Sequence, residues 1–178
     1  GKLLKVYQDT VVLPNGVEGT REVVRHPGAA CVCAIDTEMN VSFVRQYRYA
    51  YVVELLELPA CKIDKGEEPY AAAIRELKEE TGMEVKDILP MGEMYPSAGY
   101  TDEIIHMYLA IHAEQGIQEL DDDEFLAVEK IYIGDALEMV LNGEIKDAKT
   151  QICLLKAFLV LQNLNAQYTE DVERGTNE

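Results

Sequence analysis

Arg75-Glu76-Leu77-Lys78-Glu79-Glu80-Thr81-Gly82 is the stretch on which the rest of the chain is read. Upstream of it, Ala71, Ala72 and Ala73 are strong helix formers, and Pro69 suits a first helical turn. The sequence therefore predicts a helix over 69–81, with Gly82 where a left-handed C-cap would close it. On such a helix Glu76, Glu79 and Glu80 stand at i, i+3 and i+4, so the three carboxylates share one face. Like charges at these spacings cost about 0.2–0.5 kcal/mol per pair. They also crowd the helix C-terminus, where the macrodipole disfavours anions. A solvated acidic face is the ordinary reading of such a run. The alternative is a bound divalent cation, because hard oxygen ligands on one face are what Mg²⁺ or Mn²⁺ takes.

Working outward, strands dominate the flanks. Residues 3–13 alternate weakly and end at Pro14-Asn15-Gly16, a hairpin turn signal, with 19–25 as the return strand. Pro27-Gly28 breaks the chain, and the wholly apolar 29–35 suits a central strand. Further strands are expected over 41–49, 52–58, 85–95, 103–112 and 129–133. The acidic run 119–124 reads as a loop. Asp135 is positioned to cap a helix reaching about Asn142, and Thr150 to cap an amphipathic helix over 149–163. The polar tail after Gln167 is expected to fray. The fold class is α+β. The expected organisation is an N-terminal hairpin over 1–28, a main domain over 29–167 and a tail over 168–178.

Glu67, Arg75-Glu76-Leu77, Glu79-Glu80 and Gly82-Met83 resemble the Nudix box. That box reads Gly, five residues, Glu, seven residues, Arg-Glu-apolar, one residue, Glu-Glu, one residue, Gly-apolar. Every defined position over 61–83 matches except the first, where Cys61 stands in place of glycine. Further stretches resemble the ADP-ribose pyrophosphatase branch of that family. They are Arg25-His26-Pro27-Gly28-Ala29, Val44-Arg45-Gln46-Tyr47-Arg48-Tyr49, Glu54-Leu55-Leu56-Glu57-Leu58-Pro59-Ala60, Gly99-Tyr100-Thr101-Asp102-Glu103, Asp123-Glu124-Phe125 and Asp147-Ala148-Lys149-Thr150. Together the resemblance runs over roughly residues 15 to 165. It implies an α/β/α sandwich around a mixed sheet, preceded here by the N-terminal hairpin extension. It also implies Mg²⁺-dependent hydrolysis of a nucleoside diphosphate derivative, ADP-ribose giving AMP and ribose 5-phosphate. A third implication is a homodimer whose N-terminal strands help build the partner's site. Another nucleotide sugar as substrate, or a catalytically silent nucleotide-binding sensor, are the alternatives.

The resemblance also assigns roles by position. Glu76 and Glu80 are the expected main metal ligands, with Glu79 beside them as ligand or through water, and the carbonyl of Ala60 as a further ligand. Glu67 and Arg75 are expected to pair and hold the loop to the helix, which Gly82 ends. Arg45 or Arg48 would grip a phosphate with a bidentate fork, or be surface strand charges. Glu57 would contact substrate or a metal-bound water, or be an ordinary strand residue, and Gly99 is a substrate-binding candidate. The general base is expected at Glu124, with Glu103 and Glu79 as the other catalytic candidates. Cys61 would be strained if its position requires positive φ, and would otherwise simply pack. Ala98 replaces the proline that this branch often carries in Ser-Pro-Gly, which bears on substrate preference.

The acidic composition is compatible with an anionic substrate of this kind. The chain has 178 residues, with 16 Lys+Arg against 33 Asp+Glu, a formal net charge of −17. Such a surface repels nucleic acid, which is bound by clustered Lys and Arg. Anionic phosphates can still bind through divalent cations or a few placed arginines. His26, His106 and His112 lack metal-pair spacing and read as packed or surface histidines. Cys31, Cys33, Cys61 and Cys153 form no CxxC pair and no disulfide framework, which points to the cytoplasm. Gly1-Lys2-Leu3 runs straight into mixed polar sequence, so no secretory leader is expected. The apolar stretch 154–161 is broken by Lys156 and is too short to span a bilayer, so no membrane partner is expected.

Overall fold

The computed structural model describes residues 4–118 and 126–175. The first two strands, β1 (Lys5–Val12) and β2 (Glu18–Arg25), pair antiparallel as a separate hairpin. Its turn is the expected one: Gly16 takes φ 80°, and the Asn15 side chain accepts the Val17 N–H at 3.1 Å. The hairpin joins the rest of the fold where Val24 pairs with Thr101 and where Arg25 bridges Asp9 and Asp102.

The central sheet follows with β3 (Ala29–Ile35), β4 (Asn40–Arg48), β5 (Val53–Glu57) and β6 (Ala60–Lys62). Helix α1 (Pro69–Thr81) comes next, then β7 (Met83–Glu84), β8 (Leu89–Met94), β9 (Ile105–Ile111), β10 (Glu114–Gln115) and β11 (Ala127–Tyr132). Helices α2 (Ile133–Leu141) and α3 (Ala148–Gly175) end the chain. The main sheet runs β11-β4-β3-β9-β8, with β3 and β9 parallel and the other pairs antiparallel, so it is mixed.

Both faces of this sheet are covered, which is why β3 is apolar throughout and buried at every position. Cys31, Cys33 and Ile35 join one core with Phe43, Leu58, Ala136 of α2 and Leu154 and Ala157 of α3. Ala30, Val32 and Ala34 face the other, with Ala72, Ala73 and Leu77 of α1. The result is the expected α/β/α sandwich.

One irregularity builds the site. Strand β3 meets β4 only at Ile35–Val41, and beyond that point the two diverge. Val44 pairs with Val128 on one edge and with Glu57 on the other, so β5 enters the gap between β4 and β3. After Leu58 and Pro59 the chain crosses to β3, where Ala60 opposes Cys31. The Val32 N–H donates to the Pro59 carbonyl at 3.0 Å and pins this crossing.

Some boundaries differ from the sequence expectation. The strand expected over 85–95 is β8, beginning at Leu89, preceded by the two-residue β7. Helix α2 starts at Ile133, so Asp135 sits inside its first turn, favourable to the dipole, rather than at the cap. Helix α3 is capped by Asp147, whose Oδ2 accepts the Thr150 N–H at 3.0 Å; Thr150 is the third helical residue, not the cap. The same helix continues to Gly175, past the point where fraying is expected. Among the described residues no helix is long and apolar enough to cross a membrane. The acidic run 119–125 lies outside the described residues.

Candidate active site

The carboxylate face of α1 is turned toward the crossing segment 57–60. Glu76 and Glu80 are 8% and 4% exposed, values unusual for ionisable side chains. Helical spacing puts them on the side that also carries Ala73 and Leu77, so burial follows from packing α1 onto β3. The Ala60 N–H donates to Glu80 Oε2 at 3.3 Å, which joins the helix to β6.

Arg75 organises the outer part of the face. Its Nε and Nη2 donate to both oxygens of Glu67 at 3.0 and 3.2 Å. Its Nη1 donates to Glu76 Oε2 at 3.0 Å and to Glu79 Oε2 at 2.7 Å. Hydrogen bonding to Glu67, with further support from Glu79, holds the Arg75 pKa far above its ordinary value. The same bond holds Glu67 below the usual carboxylate range. Glu67 Oε2 also accepts the Asp64 N–H at 3.1 Å, which ties the loop before α1 to the helix.

Gly82 ends α1 at φ 70°, its N–H donating to the Lys78 carbonyl at 2.8 Å. The two last main-chain carbonyls are taken by glutamines: Gln118 Nε2 donates to Glu80 O at 2.5 Å and Gln115 Nε2 to Thr81 O at 3.1 Å. The chain therefore enters the 119–125 run from the end of the carboxylate helix, and it returns in β11, where Ala127 opposes Arg45. Glu124 itself lies outside the described residues.

Cys61 has no positive φ; it is a half-buried residue of β6. Its thiol donates to the Ala72 carbonyl at 3.7 Å, and burial, then the Glu76 charge, pushes its pKa up to about 12. The missing glycine thus leaves no strain at this position, and Cys61 packs. Ala98 lies in the turn over 96–100, which the Tyr100 and Thr101 N–H groups close by both donating to the Ser97 carbonyl. Gly99 stands in the same turn with open space around it.

Other candidates have partners of their own. Arg45 makes a bidentate pair with Glu129 across β4 and β11, at 2.5 and 3.1 Å. Glu103 lies 3.6 Å from His26, two residues before β9. Arg48 donates from Nε and Nη2 to the two oxygens of Glu57, both at 2.6 Å, and Glu57 is 1% exposed. That hydrogen bond raises the Arg48 pKa, and the charge of Glu80 adds to the effect. The carboxylates of α1, Ala60, Arg48 and Glu57 thus occupy one region.

Sequence reasoning gave no site role to the residues beneath Glu57. Lys149 Nζ donates to Glu57 Oε2, and to Asp147 Oδ2 at 3.0 Å. Asp147 Oδ2 also accepts the Thr150 hydroxyl at 2.7 Å, and Thr150 Oγ1 accepts the Leu58 N–H at 2.9 Å. Asp147 three residues before Thr150, at a helix start, was the available signal, since an N-cap Asp bonds the third N–H. That a lysine between them would be buried is invisible until α3 is docked.

All-oxygen donors on a buried helix face have the chemistry that a hard divalent cation takes. Among the described residues no three His, Cys, Asp or Glu side chains converge as a ready-made metal cage. Mg²⁺ does not need one: it keeps several waters and uses one or two carboxylates together with substrate phosphates. Glu76 and Glu80 fit that requirement.

The NUDIX domain family model matches residues 24–151. The chain is 42% identical over 152 residues to the ADP-ribose pyrophosphatase of Bacillus subtilis strain 168, covering 84% of this chain and 82% of that protein. It is 40% identical over 156 residues to the methanol dehydrogenase activator of Bacillus methanolicus, covering 86% and 84%. Its fold matches the crystal structure of an ADP compounds hydrolase with a TM-score of 0.79 at 24% identity, over 94% of this chain and 89% of that one. A match spanning the sheet, the carboxylate helix and the start of α3, in a chain whose acidic helix packs as the motif requires, means that this protein belongs to the Nudix family.

Proposed function

We propose that the protein is a Mg²⁺-dependent pyrophosphatase that cleaves ADP-ribose to AMP and ribose 5-phosphate. The observation that carries this reading is the burial of Glu76 and Glu80 on one face of α1, beside Ala60 and Arg48. The similarity to the ADP-ribose pyrophosphatase of Bacillus subtilis supports it. Mn²⁺ would serve the same oxygen ligands.

Glu76, Glu80 and the Ala60 carbonyl would hold the metal, with Glu79 adjacent. Magnesium bound there supplies charge neutralisation for the diphosphate and a more acidic water. Arg75 keeps Glu67, Glu76 and Glu79 in a fixed array, so the face is preorganised rather than splayed by repulsion. Arg48, whose fork is held by Glu57, meets a substrate phosphate, and Arg45 is the second candidate for that task. Glu124 takes the proton of the attacking water. The bond from Gln118 to the Glu80 carbonyl supports this assignment, because it starts the 119–125 run at the carboxylate helix. Glu103 and Glu79 are the other candidates for that proton, and Gly99 for lining the substrate.

The protein acts as a homodimer in this reading, and four unpaired cysteines suit the reducing cytoplasm. A different nucleotide sugar is the second reading, favoured by Ala98 at the position where this branch often carries proline. Incubation with Mg²⁺ and a panel of nucleotide sugars, with products separated by chromatography, tests both. AMP and ribose 5-phosphate are expected from ADP-ribose, and Glu80→Gln should lower turnover by about 10³-fold or more without unfolding the chain. Tight binding with no product from any substrate would instead indicate a silent nucleotide sensor.

A further inference from the structure

The row of charges beneath Glu57 lies outside the carboxylate face, yet it ends on it. Burial is deepest in the middle of the row: side-chain exposure is 40% at Arg48, 2% at Glu57, 13% at Lys149 and 19% at Asp147. Desolvation works against the Lys149 charge, but Asp147 and Glu57 more than offset it and raise its pKa. Replacing a buried ion pair by apolar side chains is often neutral or stabilising, so stability alone is a weak reason for such a row. What the row supplies is fixed geometry. The first turn of α3 holds Glu57 by its side chain and Leu58 by its main chain, three and two residues before Ala60. Glu57 in turn takes the Nε–Nη2 edge of Arg48 and leaves the other N–H groups of that fork for a ligand.

We propose that Lys149 is a positioning residue of the hydrolytic site: through the buried Glu57 carboxylate it sets the Arg48 guanidinium in the orientation that meets a substrate phosphate. The proposal rests on the function proposed above. Lys149 and Arg48 therefore act as one unit on substrate binding, and their effects do not add.

The test is a cycle of KM and kcat for ADP-ribose in the wild type, R48K, the charge-neutral K149M/E57Q and the combined triple variant. K149M/E57Q should raise KM about tenfold with kcat within about threefold. The triple variant should match R48K rather than show the product of the two effects. A wild-type KM in K149M/E57Q, multiplying effects, or a fall in kcat at constant KM would each overturn the proposal. Should K149M/E57Q fail to melt cooperatively, K149R decides: it keeps the charge but moves the donors, and a KM raised about threefold at unchanged kcat is expected. A wild-type KM there overturns the proposal. Calorimetric Kd values for ADP-ribose follow the same cycle. An inactive wild type that still binds therefore sinks the function reading alone, and an unperturbed Kd across the cycle sinks the positioning role alone. Absence of both turnover and binding overturns both.

Discussion

Cys61 shows how much one backbone angle decides. In the motif a glycine at this place invites the expectation of positive φ, but the residue lies in β6 paired with Ala30 and its thiol packs against α1. A glycine here would lose strand order and packing rather than relieve strain. Cys61→Gly is expected to lower stability by about 1 kcal/mol, read as Tm, with kcat for ADP-ribose within about twofold. The thiol, held up at about 12, should also resist alkylation at pH 8, which mass spectrometry of iodoacetamide-treated native protein checks. The helical spacing of Glu76 and Glu80 was legible in the sequence, because 3.6 residues per turn requires no tertiary knowledge. Their burial was not, since a solvated acidic face has the same spacing.

At the scale of elements, α1 and its cap are the most legible part of the fold. The alanines, Pro69 and Gly82 place its ends, and the structure agrees residue for residue. The cap does more than end the helix. A Cβ on Gly82 would come within 2.8 Å of the Gln118 main-chain nitrogen and 3.0 Å of the Ile117 carbonyl carbon. Gly82→Ala therefore combines left-handed strain with a clash against the segment that leads to the acidic run. We expect a loss of about 3 kcal/mol by denaturant melting and a lower kcat, because the Gln118 bond to Glu80 is displaced. The start of α3 sets a pH dependence. Asp147 has its pKa lowered below the ordinary 3.8: burial opposes this, but Lys149 and Thr150 prevail. A depressed carboxylate pKa gives stability that is present above the ordinary value and lost as pH falls through the folded one. Asp147→Asn should thus cost about 3 kcal/mol near neutrality, by leaving Lys149 with a poorer partner. The Tm gap to the wild type should shrink as pH drops below 3.8. Lys149 behaves in the opposite sense: its raised pKa preserves its contribution below 10.5, and that contribution is lost as pH rises through the folded value.

For the whole molecule, the hairpin is the feature that a single chain explains least. Strands β1 and β2 form their own two-stranded sheet, with Val6, Tyr7, Val12 and Val17 exposed, and an isolated hairpin is marginal in water. The homodimer proposed above would cover these residues. Light scattering is expected to give twice the 20.0 kDa chain mass, and removal of residues 1–25 to give a monomer with activity lowered at least tenfold. A full-length monomer with full activity would refute the dimer.

Local pattern alone determined the helix, its glycine cap, the hairpin turn and the apolar central strand, and with them the family motif. Each rests on a period, a turn preference or a composition that a short window contains. Only the tertiary structure decided the rest: the gap between β3 and β4 that admits β5, the crossing at Pro59, and the docking of α3 that buries Lys149 under Glu57. These depend on residues up to 92 positions apart meeting across a core, and the free energy of a buried charge is set by that meeting rather than by its neighbours in sequence.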